Sequence, residues 1–172
     1  FFQADDGIRD FCLSRGLGDV YKRQIFNSYR QNYSEQPYKY STLMPGVMET
    51  LNFFYERKIL MGICTNKRQF VTEKLIQEMN LSKFFTTIVG ARDNIPLKPK
   101  PNMLILTMEG FNTTNKMFYM VGDTSNDIDA AKAANIKSIA VAGGYTDKDV
   151  NNLGATHTLK NMKDIIKLLG LS

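Results

Sequence analysis

The chain has 172 residues, 43% hydrophobic and 23% charged, with a formal net charge of +5, the composition of one ordinary globular domain that can bury a core without disulfide staples. No apolar run approaches the roughly 18 residues a membrane span needs, and no basic stretch followed by an apolar one marks a secretory leader. Cys12 and Cys64 are too few for a disulfide framework, so a cytoplasmic setting is expected, and the basic excess is spread too thinly for a nucleic-acid surface.

Composition changes abruptly near Gln24. Residues 1–24 hold three Arg, one Lys and neither Asn nor Met, whereas the remainder holds four Arg, fourteen Lys, fourteen Asn and all nine Met, the first being Met44. Residues 1–24 also resemble a translated sequencing adapter, and they are expected to be a non-native segment. The alternative is a divergent native N-terminus.

Residues 25–33 read as the end of a helix, and Ser34 to Thr42 as a loop. Pro45-Gly46 opens a helix, with Pro in the first turn and Val47, Leu51 and Phe54 on one face. Ile59 to Cys64 is a continuous apolar run, expected as a strand buried on both faces and ended by Thr65-Asn66-Lys67. Val71, Leu75, Ile76 and Met79, with Phe70 and Lys74, predict a second helix ending near Asn80. A strand follows at Thr86 to Val89, stopped by Gly90. Pro96 to Pro101 is too proline-rich for a helix interior. Helix resumes from Asn102 to about Glu109, then a strand from Met117 to Val121 with Gly122-Asp123 at its end. Ser125 to Ala134 predicts a helix, Lys137 to Ala142 a strand, Gly143-Gly144-Tyr145 a close turn, and Thr156 to Leu159 a weak strand. An amphipathic helix bearing Ile165, Ile166, Leu168 and Leu169 closes the chain. The alternation predicts an α/β fold, a Rossmann-like parallel sheet with helices on both faces. Ligands bind such sheets at the carboxyl ends of the strands, which selects Thr65-Asn66, Gly122-Asp123 and Gly143-Gly144.

Each candidate has two readings. Asp123 and Asp127 are either ligands for a hard cation such as Mg²⁺, which takes few carboxylates and keeps water and phosphate oxygens, or they serve the start of a helix, with Asp123 or Ser125 as its cap. Thr65 and Asn66 either bind a phosphate oxygen or cap a helix. Lys98 is either a point charge for phosphate, aimed by flanking prolines, or a solvated loop lysine, and Lys100 competes for the same part. His157 reads as a packing or surface residue, and the methionines read as core filler.

In order and in strand context, Thr65-Asn66-Lys67, Lys98-Pro99-Lys100-Pro101 and Met117 to Asp127 resemble the haloacid-dehalogenase-like hydrolases, and within them the phosphoglycolate-phosphatase-like branch. Asp127 to Asn135 and Gly143-Gly144-Tyr145 extend the likeness, which covers roughly residues 43–170. It implies a core domain over residues 43–172, with residues 25–42 as the remnant of a helical cap. It also implies a Mg²⁺-dependent phosphatase acting on a small phosphate monoester. Thr65 would hydrogen-bond the transferring phosphoryl group with Asn66 beside it, Lys98 would stabilise its charge, Asp123 would hold Mg²⁺ and Asp127 would support it. Lys98 is preferred to Lys100 because it fits that branch's Lys-Pro-x-Pro pattern.

The departure lies at the start. The family's first motif, Asp-x-Asp-Gly-Thr, supplies an aspartate nucleophile, and the nearest match is Ala4-Asp5-Asp6-Gly7-Ile8. Ala4 stands at the nucleophile's position, and a methyl group cannot form an aspartyl-phosphate. Asp5 and Asp6 are given no role. The native first strand and most of the cap are thus expected to be missing and the chain inactive. The resemblance places that strand between those ending at Thr65 and Gly122, so its absence would leave unpaired inner edges, unless Phe1-Phe2-Gln3-Ala4 fills the slot. The competing reading is a non-catalytic binding or regulatory module of the same fold.

Overall fold

The structure, a computed structural model, describes residues 2–4, 41–114, 117–144 and 149–171. Two short strands, β1 (Phe2–Ala4) and β2 (Ser41–Leu43), pair antiparallel. After them come α1 (Val47–Glu56), β3 (Gly62–Arg68), α2 (Gln69–Glu78), β4 (Thr87–Ala91), α3 (Asn102–Glu109), β5 (Tyr119–Gly122), α4 (Ser125–Ala133), β6 (Lys137–Val141), β7 (His157–Leu159) and α5 (Asp164–Leu168). Strand β3 lies parallel to β4, with Ile63 opposite Ile88. Strands β5, β6 and β7 form a second parallel block in that order. The expected α/β class with parallel strands is therefore what the chain adopts.

Period-two alternation sends neighbouring strand residues to opposite faces, and the core divides accordingly. On one face Val47, Leu51 and Phe54 of α1, Ile76 of α2, Ile139 and Val141 of β6 and Ile165 of α5 pack together, with Ile63, Ile88, Tyr119 and Val121 against them. On the other, Leu104 of α3 and Ala130 and Ala131 of α4 meet Met120, with Cys64 and Ile136 beside them. Helices thus cover both faces. Asn80 (φ +56°) and Asn135 (φ +55°), in the left-handed region just beyond α2 and α4, end those helices in a conformation that asparagine tolerates.

Several elements differ from expectation. Pro45-Gly46 precedes α1 as a turn, because Gly46 has φ +80°, outside helical space. Residues 41–43 form β2 where a loop was expected. Strand β3 begins at Gly62 and runs to Arg68, past the expected end at Cys64, through a register shift between Cys64 and Arg68. It is half-buried, not buried on both faces, and Leu60 is 48% exposed. The cause is pairing: among the described residues β3 is bonded to β4 alone and β5 to β6 alone, so each has one inner edge without a partner strand. The segment Phe2–Ala4 pairs with β2 and fills no slot between them.

Gly90 lies within β4 and does not stop it. Met117 precedes β5 and is 72% exposed, so the methionines divide: Met103, Met120 and Met162 are core, whereas Met48 and Met117 are not. Phe70 is exposed too. His157 sits half-buried in β7. Tyr145, Asp5, Asp6 and most of the expected cap remnant over 25–42 fall outside the described residues. Among the described residues no helix is long and apolar enough to cross a membrane.

Candidate active site

Three chain segments meet at the carboxyl ends of β3 and β5, and Lys98 joins them. It is 8% exposed, whereas Lys100 is exposed, so the solvated-lysine reading fails for Lys98. Its Nζ donates to the backbone carbonyl of Cys64 at 2.6 Å and to Asp127 Oδ1 at 2.5 Å. Two of the three N–H donors of the ammonium are thereby used. Burying a charge is costly unless it is paired and bonded, and both conditions hold here.

Asp127 occupies the first turn of α4. Its Oδ2 accepts from the Thr124 hydroxyl at 2.8 Å, the Thr124 N–H at 3.1 Å and, more weakly, the Asp123 N–H at 3.3 Å. Burial alone would raise the carboxyl's pKa, but the Lys98 charge, with the Lys98 and Thr124 hydrogen bonds, outweighs it and holds Asp127 below the usual range. Gly122 permits this: a Cβ there would overlap the Asp127 side chain. The helix-start reading of Asp127 and the ion-pair reading are both realised, with Thr124 as the N-cap in place of Asp123 or Ser125.

Asp123 is half-buried at the end of β5, and Gly144 lies directly against it. A Cβ on Gly144 would overlap the Asp123 carboxylate, so the turn after β6 shapes the space around that group. Thr65 is half-buried in the irregular part of β3, and its Oγ1 accepts the Lys67 N–H at 3.2 Å. Asn66 turns its amide to the backbone of Lys98, with both bonds at 2.9 Å. Asn66, the Cys64 carbonyl and Asp127 are thus in one bonded cluster through Lys98, with Asp123 joined to it by its N–H and Thr65 adjacent in sequence.

Sequence reasoning missed the Cys64 carbonyl and Thr124. A backbone acceptor carries no sequence signal, but Thr-x-x-Asp before a helix is a capping pattern that pointed to Thr124. Burial raises the Cys64 thiol, partly offset by Lys98 and by a hydrogen bond with Thr107.

Among the described residues no group of three or more His, Cys, Asp or Glu could hold a metal ion. The donor chemistry suits a cation that needs fewer protein ligands: Mg²⁺ commonly takes one or two carboxylates and completes its shell with water and phosphate oxygens. Asp123 carries a carboxylate at the end of β5, and both oxygens of Asp127 are engaged.

The sequence matches the family described as haloacid dehalogenase-like hydrolase over residues 13–141, a span that includes every residue of this cluster. A phosphoglycolate phosphatase of Shigella boydii is 30% identical over 150 residues, covering 87% of this chain and 58% of the relative. A phosphoglycolate phosphatase of Aquifex aeolicus is 28% identical over 163 residues, covering 95% and 75%. The chain therefore spans a little over half the length of the Shigella relative. Among solved structures, a predicted phosphoglycolate phosphatase from Haemophilus somnus superimposes with a TM-score of 0.79 at 22% identity, over 89% of this chain and 68% of that one, a likeness of fold. By the family match, this chain belongs to the haloacid dehalogenase-like hydrolases.

Proposed function

We propose that the chain carries the core of a Mg²⁺-dependent phosphatase for small phosphate monoesters, with phosphoglycolate the first substrate to test. The observation that carries this reading is the buried Lys98 ammonium, tied to the Cys64 carbonyl of β3 and to Asp127. A fixed cation in a site at strand ends suits phosphoryl transfer, where catalysis is mostly positioning and charge stabilisation. The phosphoglycolate phosphatase relatives support the substrate class.

In this reading Lys98 gives its remaining N–H to a phosphoryl oxygen. The Thr65 hydroxyl and the backbone N–H groups beside it bind the same group. Asp123 would hold Mg²⁺, whose contribution when bound is to neutralise phosphoryl charge. Asp127 holds the Lys98 ammonium in place through their ion pair.

In the match to the family's first motif Ala4 falls at the position of the aspartate nucleophile, so in this reading the chain should bind phosphate without turning over an ester. The test is hydrolysis of p-nitrophenyl phosphate with Mg²⁺, by this chain and by a version whose first strand carries Asp-x-Asp-Gly-Thr. We expect no turnover in the first and activity in the second. Turnover by the first would overturn the inactivity, and none by the second would favour a non-catalytic binding module.

A further inference from the structure

We infer that Asn66 is a positioning residue for Lys98: its side-chain amide holds both backbone polar groups of Lys98 and so delivers the ammonium to the site. This deepens the proposed function, in which Lys98 is the phosphate-facing cation. It also gives Asn66 a part other than direct contact with phosphate.

The segment from Pro96 to Pro101 has three prolines, at 96, 99 and 101, none with an N–H, and it lies beyond the end of β4 at Ala91. It makes one internal turn bond, from Lys100 N–H to the Leu97 carbonyl at 2.9 Å. A strand ladder cannot hold such a segment. Asn66 takes that place: its Nδ2 donates to the Lys98 carbonyl, and its Oδ1 accepts the Lys98 N–H, each at 2.9 Å. The residue type is specific to the task. Only a side chain with a donor and an acceptor side by side completes this pair, and the opposite character of the two Lys98 groups fixes which end of the amide is which.

The first residue of α2 uses the same device once more. Gln69 donates through Nε2 to the Ile88 carbonyl at 3.0 Å and accepts the Gly90 N–H at 2.5 Å. Around the β3 register shift between Cys64 and Arg68, two amide side chains thus hold backbone groups of neighbouring segments, Asn66 at Lys98 and Gln69 at β4. With the Lys98 backbone pinned to Asn66, its side chain spans to the Cys64 carbonyl, two residues before Asn66, and to Asp127.

The test compares the full chain with its Asn66→Leu and Asn66→Asp variants by NMR, following hydrogen exchange of the Lys98 amide and the ¹⁵N–¹H signal of its ammonium, then titrating inorganic phosphate. In Asn66→Leu the Lys98 amide should exchange roughly tenfold faster, the scale of one lost hydrogen bond, and the slowly exchanging ammonium signal should be lost. Asn66→Asp keeps the acceptor for the Lys98 N–H and should protect that amide better than leucine does; if Asn66→Leu does not fold, Asn66→Asp against the parent chain carries the comparison through the ammonium signal. Unchanged Lys98 amide and ammonium signals in the folded variants would overturn the inference. So would phosphate-induced shifts centred on the Asn66 side-chain amide in the parent chain. The exchange arm needs neither ester nor turnover, so a failed hydrolysis assay counts against the phosphatase reading alone.

Discussion

Lys98 and Asp127 form a buried pair at 2.5 Å, with side chains 7% and 9% exposed. Removing one partner of such a pair leaves an uncompensated buried charge, at a cost of about 3–5 kcal/mol. Lys98→Met should therefore lower stability by about that amount in urea melts. The double variant Lys98→Met with Asp127→Leu should recover much of the loss, since no lone charge remains. The pair also sets an acid dependence. The folded-state pKa of Asp127 is lowered, so the unfolded chain binds more protons in the acid range and stability rises with pH there. The contribution is complete above the ordinary carboxyl range and is lost as pH falls through the depressed folded value. Asp127→Asn should flatten that acid limb in melts followed from pH 6 downwards. A stability profile of the same shape in parent and variant would contradict the assignment.

At the scale of elements, the end of β3 decides where the site stands. Gly90 lies so close to this junction that a Cβ would come within 2.6–2.8 Å of the Gln69 backbone and the Lys67 carbonyl. Gly90→Ala should therefore destabilise the fold by about 1–3 kcal/mol, the usual range for overpacking, readable as a lowered denaturation midpoint. The junction also shows how far sequence reading reaches. Helix α3 and strand β6 were legible because their signals are local: an N-terminal proline boundary for one, a β-branched apolar run for the other. The extension of β3 to Arg68 was not, because Thr65-Asn66-Lys67 is polar and pairing resumes only at Arg68, opposite Ala91, after a register shift. Lys98 was named from its proline-flanked pattern, but its burial and its bond to the Cys64 carbonyl depend on backbone groups brought from 34 positions away, which no local pattern encodes.

On the scale of the whole molecule, the parallel strands fall into two blocks, β3–β4 and β5–β6–β7, and among the described residues no strand pairs with the inner edges of β3 and β5. Apolar residues that a covered sheet would bury, such as Ile63 and Val121, are half-buried. Unpaired edges of this kind template association with other chains. A chain shortened to residues 25–172 keeps those edges and also loses β1, the partner of β2, and should melt without a sharp transition or aggregate at micromolar concentration, as read by calorimetry and light scattering. A single cooperative melt with ordinary stability would show that the shared helical core suffices.

The reach of one lysine across those blocks has a bearing on how such a protein can change. Its ammonium fastens a carbonyl of β3 to a carboxylate at the start of α4, the helix that follows β5, so under the proposed function cohesion and chemistry would draw on the same atom. A substitution that retunes the charge offered to an anion must also loosen or tighten the grip of one half on the other. Altered reactivity at this position would thus arrive with altered resistance to unfolding, and a replacement tolerated for one purpose can be rejected for the other.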